Sequence, residues 1–349
     1  EVAGNYLRNM LWNCFAHDCR GLLWWCANDQ TRLEHAPYDW AAVERELGLL
    51  RVDRTPKPTI RAMKAFGEIL DRTGLRRLPA FRRDAVVILT QSQDQWGVAY
   101  ASFLLAKQAG FDVQYAGQPL KPSKFYIMPS VSGTHVIPAR CYHALLREVE
   151  NGATLFVSSD GGSLEPFGTV FGIDIATRCK AVAETTIRSE EREFDVRCRA
   201  EYQLNLVNRR AEVLAVDIDD DPIFTLCGYG RGKALFLAAP IERAATETPR
   251  AFFPEAPELY RLYATAAEAA GVTRRVFRTN PLLTLTEHEL DADTLLVIAV
   301  NNTPSPLTDE ITSAPEWVFD SMVWGEPPVE HGFTVQENAG AILKFRRAR

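Results

Sequence analysis

The residues best suited to chemistry lie together in one stretch, GLLWWCANDQ, at positions 21–30. Two tryptophans supply flat apolar surfaces, and amide and carboxylate groups follow them directly. A sugar ring has apolar C–H faces and hydroxyl edges, so an indole can cover a face while amides and carboxylates bond an edge. The stretch therefore predicts a carbohydrate-binding surface, to which the loop that follows adds one histidine. Its members are Trp24, Trp25, Asn28, Asp29, Gln30 and His35.

Two of these assignments leave alternatives open. Alternate side chains of a strand point to opposite faces, so one of Trp24 and Trp25 would line the site while the other packs against a helix. The spacing does not decide which one, and both being core residues is the competing interpretation. For His35, contact with sugar competes with simple exposure to solvent.

The elements around this stretch predict that it belongs to a larger unit. GLLWW is typical of a short buried strand, with helical patterns over residues 3–19 before it and over 40–50 and 58–72 after it. A strand needs neighbours on both sides, but the preceding residues offer a helix alone. We therefore expect residues 1–78 to form the last part of a (β/α)8 barrel, whose active site lies at the C-terminal strand ends. An upstream segment, a separately encoded fragment or a partner chain would complete it.

The rest of the chain has two further patterns. Short apolar strands alternate with helices over residues 79–272, which predicts a doubly wound α/β domain. Short strands separated by turn residues predict a small antiparallel β domain over 273–349. An acidic cluster at 217–221 is expected to be a solvated turn, since it lacks the spacing of a calcium loop. The charged run at 189–197 is expected to form an exposed edge strand or hairpin.

Composition excludes several classes of function. The net charge is −6, which disfavours binding to nucleic acid. No apolar run approaches the roughly 20 residues that cross a bilayer, so we expect no membrane partner. Seven scattered cysteines without a CxxC pair predict buried, reduced thiols, no metal site and a cytoplasmic location.

Taken together, the three parts of the sequence resemble a known family. The order of the three parts is similar to that of retaining glycoside hydrolases of the (β/α)8 superfamily, above all family 42 β-galactosidases with a trimerisation domain and their β-mannanase-like relatives. GLLWWCANDQ is similar to the eighth barrel strand of that group. FYIMPSVSGTHVIPARCYHALLREVENGATLFVSSDGG resembles the core of the trimerisation domain, and GYGRGKALFLA resembles a strand pair that closes it.

The resemblance implies a fold and an activity. The fold is the end of a (β/α)8 barrel, then a flavodoxin-like domain, then a small β domain. The activity is hydrolysis of β-linked sugars by double displacement, without cofactor or metal, using two glutamates about 5 Å apart. Both glutamates are expected upstream, so we assign no catalytic residue here and expect the chain alone to be inactive. Glu1 is interpreted as a first-turn helix residue. The implied partners are a carbohydrate, a chain or segment that completes the barrel, and further copies of this chain.

Two rival functions remain open. A non-catalytic carbohydrate-binding or oligomerisation scaffold would keep the same fold. An amidotransferase-like enzyme would need a nucleophilic cysteine in a strand-to-helix turn, yet the matching turn reads SSDGGS. Cys141 and His143 lie instead in a predicted helix, and the turn after the first strand, TQSQDQWG, lacks the glycines of a dinucleotide site.

Overall fold

The computed structural model describes residues 2–30, 33–41, 44–116, 120–329 and 332–348. The chain divides into two compact units. The terminal unit comprises Glu1–Arg82 and Arg274–Arg349, and the central unit comprises Arg83–Thr273. Glu1 lies outside the described residues.

The helices and strands follow one another along the chain. The terminal unit begins with α1 (Val2–Ala16) and α2 (Pro58–Thr73). The central unit contains β1 (Ala85–Val87), α3 (Gln95–Gln108), β2 (Val113–Tyr115), β3 (Phe125–Ser132), α4 (Ala139–Glu150), β4 (Thr154–Asp160), α5 (Gly168–Phe171), β5 (Ile173–Lys180), β6 (Thr185–Ser189), β7 (Phe194–Cys198), β8 (Tyr202–Asn208), β9 (Glu212–Val216), β10 (Pro222–Tyr229), β11 (Gly232–Leu237), α6 (Ile241–Glu247) and α7 (Tyr260–Ala269). The terminal unit resumes with β12 (Val276–Arg278), β13 (Leu283–Asp291), β14 (Thr294–Asn301), β15 (Leu307–Ser313), β16 (Trp317–Trp324), β17 (Gly332–Val335) and β18 (Gly340–Arg347).

The central unit is built on one large mixed sheet in the order β2-β1-β3-β4-β11-β10-β9-β6-β7. Its first five strands are parallel, and the order reverses between β1 and β3. This part of the chain therefore has a large mixed sheet whose parallel strands agree with the prediction of an α/β domain. The apolar runs at β1, β3 and β4 form its buried centre, because a parallel strand covered on both faces must be apolar throughout.

Antiparallel strands extend this sheet to an exposed edge. β6 and β7 form a hairpin at the end of the sheet, as the charged run at 189–197 predicts. The acidic cluster is a turn in which Asp217 Oδ1 accepts hydrogen bonds from the backbone N–H groups of Asp219 and Asp221. Within the described ranges, no group of three or more His, Cys, Asp or Glu side chains is arranged to hold a metal ion.

The terminal unit joins both ends of the chain around one core. Its β strands form a four-stranded sheet, β13-β14-β18-β16, and a three-stranded sheet, β12-β15-β17. Leu7 and Trp12 of α1 and Phe66 of α2 pack in one cluster with Ile298 and Ile342 of the larger sheet. The opening and closing segments of the sequence therefore stabilise each other.

Two local predictions are wrong. Residues 21–27 form no sheet ladder, and Leu23 is 94% exposed rather than buried. Residues 44–50 form turns, and Leu50 forms isolated β-bridges with Asn28 and Pro56, so these residues are not part of a helix over 40–50. A strand is held by hydrogen bonds to its neighbours, and no described segment lies beside GLLWW as a strand.

The cysteines also differ from expectation. None of the seven, all of which lie in the described ranges, forms a disulfide bond, but Cys198 and Cys227 alone are buried, whereas Cys19 and Cys179 are exposed. Among the residues that the structure describes, no helix is long and apolar enough to span a bilayer.

Candidate functional site

Residues 24–30 are held in place by a neighbouring turn rather than by a sheet. The backbone N–H groups of Leu49 and Leu50 donate to the carbonyls of Cys26 and Ala27, both at 3.0 Å. A Cβ atom on Gly48 would lie 2.2 Å from the backbone carbon of Asn28, so this close approach requires glycine. The Trp25–Cys26 peptide bond is cis.

The two tryptophans have different environments. Trp24 packs against the core formed by α1 and α2, and its indole N–H donates to the carbonyl of Leu47 at 2.9 Å. Trp25 is 65% exposed, and its indole N–H donates to Glu44 Oε1 at 3.2 Å. The alternation along the chain therefore persists without a sheet, and Trp25 is the tryptophan that faces solvent.

A hydrogen-bonded group surrounds the edge of this exposed indole. Glu44 accepts the Trp25 N–H on one carboxylate oxygen and the Gln30 side-chain amide on the other, at 3.2 Å. We call Trp25, Gln30 and Glu44 the Trp25 surface. Sequence reasoning missed Glu44, because it lies in a stretch whose pattern predicts a helix and carries no other signal.

Asp29 is part of the support beneath this surface. Its Oδ1 accepts from Lys57 Nζ at 2.8 Å and from the backbone N–H of Gly48 at 2.9 Å. Asp29 and Lys57 form an ion pair whose side chains are 12% and 19% exposed. Lys57 also donates to the carbonyl of Glu46 at 2.6 Å. This pair fixes the turn that positions Gln30 and Trp25.

The other two predicted residues are exposed. Asn28 forms a β-bridge with Leu50 through its backbone. His35 lies in the loop at 33–41, where its carbonyl accepts from the backbone N–H of Tyr38 at 2.9 Å. The structure thus joins Trp25 and Gln30 through Glu44, with Asp29 as their support.

The Trp25 surface is suited to binding rather than to acid–base chemistry. It offers an apolar indole face beside polar edges, which matches the two kinds of surface on a sugar ring. Its carboxylate, Glu44, already accepts two hydrogen bonds, and the neighbouring Asp29 is neutralised by Lys57. The described residues of this surface therefore contain no pair of free carboxylates for double displacement.

A second polar cluster lies inside the central unit. Glu242 is fully buried and accepts hydrogen bonds from the hydroxyls of Ser130 at 2.7 Å, Ser158 at 2.5 Å and Tyr263 at 2.8 Å. Burial raises the pKa of the Glu242 carboxyl, although these three donors oppose the shift. The cluster joins two strands, β3 and β4, to two helices, α6 and α7, so its role is structural.

This cluster bears on the amidotransferase-like alternative. The C-terminal end of β4 carries Ser158, bonded to Glu242, and Asp160, which is 1% exposed and paired with Arg243. Cys141 lies in the first turn of α4, not in a strand-to-helix turn. The arrangement thus lacks the nucleophile position that this alternative needs.

Solved structures share this fold. A β-galactosidase from Bacillus circulans sp. alkalophilus superposes with a TM-score of 0.70 at 15% identity, over 98% of this chain and 52% of that one. A GH42 β-galactosidase from G. stearothermophilus gives 0.69 at 12% identity, over 97% and 51%. An exo-β-1,4-mannosidase from Opitutaceae bacterium strain TAV5 gives 0.54 at 18% identity, over 71% and 47%.

These similarities concern the fold. The chain spans about half the length of the solved structures it matches. No family model and no curated protein matches the sequence. The chain therefore has a mixed α/β fold similar to about half of each of these glycoside hydrolase chains.

Proposed function

We propose that this chain is part of a glycoside hydrolase that acts on β-linked sugars, with residues 1–78 forming the end of a (β/α)8 catalytic barrel. The observation that carries the proposal is the exposed Trp25 indole, fixed at its edge by Glu44 and Gln30 on a segment that lacks sheet neighbours among the described residues. An indole held in this way forms one wall of a sugar site. The matched β-galactosidases support the substrate class.

In this proposal the chain binds sugar and another segment supplies the chemistry. A retaining mechanism needs two carboxylates about 5 Å apart. The Glu44 carboxylate accepts two hydrogen bonds, which agrees with a role in binding. The Asp29 carboxylate is paired with Lys57, which agrees with a role in support. The catalytic glutamates then come from a segment or chain that completes the barrel around residues 21–30. The central unit acts as an oligomerisation domain.

The alternative is a carbohydrate-binding or oligomerisation scaffold without hydrolytic activity. The hydrogen bonds and the ion pair that occupy the carboxylates of Glu44 and Asp29 favour this alternative, because a surface that only binds sugar needs no free acid–base pair. The two functions predict the same effect of Trp25 on sugar affinity and differ in turnover.

One experiment separates these outcomes. The protein is isolated from its source with whatever accompanies it, and intact mass spectrometry is combined with assays on 4-nitrophenyl β-galactoside and β-mannoside. The proposal expects hydrolysis by a species heavier than 39.1 kDa or by a complex, and none by this chain alone. Hydrolysis by the 39.1 kDa chain alone would place the catalytic pair within it and refute the proposal. A completed assembly that binds sugar without turnover would establish the scaffold instead.

A further inference from the structure

We propose that the central unit binds a small organic carboxylate with an apolar body, in a cleft at the point where the order of its parallel strands reverses. This site is separate from the Trp25 surface and does not depend on the proposed function. The cleft has a volume of about 490 Å³, within the range that holds small-molecule ligands.

The cleft lies where sheets of this kind usually bind ligands. The chain passes from β1 to β2 on one side of the sheet and then to β3 on the other. The residues just after β1 form one wall, and the loop between β3 and α4 forms the other. The backbone N–H of Gln91 donates to the carbonyl of Val136 at 2.8 Å and joins the two walls. Ligands of doubly wound sheets bind outside the carboxyl ends of strands at such a reversal.

The lining of the cleft selects the chemical class of the ligand. Most of it is apolar, including Ile88, Leu89, Val136 and Ile137. Arg140 is the cationic side chain, and none of the described residues that line the cleft carries a carboxylate. Arg140 is exposed and forms no ion pair with any residue that the structure describes. An apolar ligand body with one negative charge complements this surface.

Thr90 belongs to the wall of the cleft but offers no contact to a ligand. It lines the cleft and is 2% exposed, and its Oγ1 atom is enclosed by protein. The backbone of Thr90 is held by Gln93 and Gln95, which fixes the position of this wall.

The same lining disfavours a nucleotide. The turn after β1 reads TQSQDQWG and lacks the glycines that let a backbone wrap a phosphate chain. A single guanidinium matches one carboxylate better than a chain of phosphates. α4 begins beside Arg140 without a side-chain cap, so its positive end adds to the same preference.

Calorimetry with the whole chain tests the class of ligand. Benzoate and hexanoate serve as probes, benzamide lacks the charge and acetate lacks the apolar body. We expect benzoate and hexanoate to bind at least tenfold more tightly than benzamide or acetate. Equal affinity for benzamide would refute the role of charge, and equal affinity for acetate would refute the apolar site. Absence of binding by either probe at millimolar concentration would refute the proposal.

Variants locate the binding. Arg140→Ala is expected to weaken benzoate binding about tenfold, the usual effect of losing a charge-assisted hydrogen bond. Arg147→Ala, an exposed arginine on the same helix outside the cleft, is the matched control and should leave affinity unchanged. Ala144→Leu should abolish binding by filling the cleft. Unchanged affinity in Arg140→Ala would place the ligand elsewhere and overturn the proposal.

Alkylation of cysteines gives an independent readout of position. Cys141 lines the cleft, whereas Cys179 is exposed outside it. Peptide-resolved mass spectrometry should show that benzoate slows the reaction of iodoacetamide with Cys141 and not with Cys179. Equal rates with and without benzoate at Cys141 would contradict binding in this cleft.

Discussion

Replacement of Trp25 by alanine separates a binding role from a core role for this residue. Trp25 is 65% exposed, so about a third of its surface is buried in the folded chain. A tryptophan presents at most about 250 Å², so roughly 90 Å² is buried here. At about 25 cal/mol per Å², this burial contributes on the order of 2 kcal/mol to folding, which is an upper bound.

The expected result is a loss of sugar affinity with little loss of structure. An aromatic face against a sugar contributes about 1 kcal/mol or more, so Trp25→Ala should weaken binding about fivefold or more. Methyl β-galactoside and mannobiose are the probes, measured by ligand-observed NMR. Hydrogen exchange at α1 and α2 reports the stability of the terminal unit. In Trp25→Ala, the rate of this exchange should rise only slightly.

Trp24→Ala is the matched control. Trp24 packs against the core and donates to the carbonyl of Leu47, so its removal should increase hydrogen exchange at α1 and α2 far more than removal of Trp25. If Trp25→Ala destabilises these helices as much as Trp24→Ala while the folded fraction keeps its affinity, Trp25 is a core residue. If wild type binds neither sugar, the Trp25 surface is not a sugar site in this chain.

Three further predictions concern the supporting structure. Gly48→Ala should displace the turn from residues 24–30, because its Cβ would lie 2.2 Å from the carbon of Asn28, and should lower sugar affinity in the same NMR assay. Asp112→Ala should cost the central unit about 3 kcal/mol in denaturation, because it removes the carboxylate that pairs with the buried ammonium of Lys107 at 2.6 Å. Glu242→Gln should remove a pH dependence of stability. Because burial raises the folded pKa of Glu242 above its ordinary 4.5, unfolding free energy should fall as pH rises from that value to the folded pKa.

Each of these has a contrary outcome. Unchanged affinity in Gly48→Ala would show that the turn does not position the Trp25 surface. If Lys107→Met combined with Asp112→Ala is as unstable as Asp112→Ala alone, the cost does not come from the buried charge of Lys107. If Glu242→Gln and wild type have the same slope of stability against pH, the Glu242 carboxyl does not titrate differently on folding.

The sequence determined the central unit to a large extent. The apolar runs at β1, β3 and β4 predict buried parallel strands, and α3, α4 and α7 belong to the predicted alternation of strands and helices over residues 79–272. This succeeds because a strand buried on both faces and a helix buried on one face each impose a local pattern of residues. The exposed hairpin of β6 and β7 was predictable for the same reason, since its charges mark a solvated edge.

The tertiary structure alone decided the candidate site. Glu44, Gly48 and Lys57 carry no local signal, yet they fix Trp25, Gln30 and Asp29 through hydrogen bonds between segments that are separate in sequence. The core shared by Trp12 and Ile342 likewise joins the two ends of the chain. A pattern of residue types reports whether a side chain is buried, but the partner of a carboxylate or a strand depends on which distant segment folds beside it.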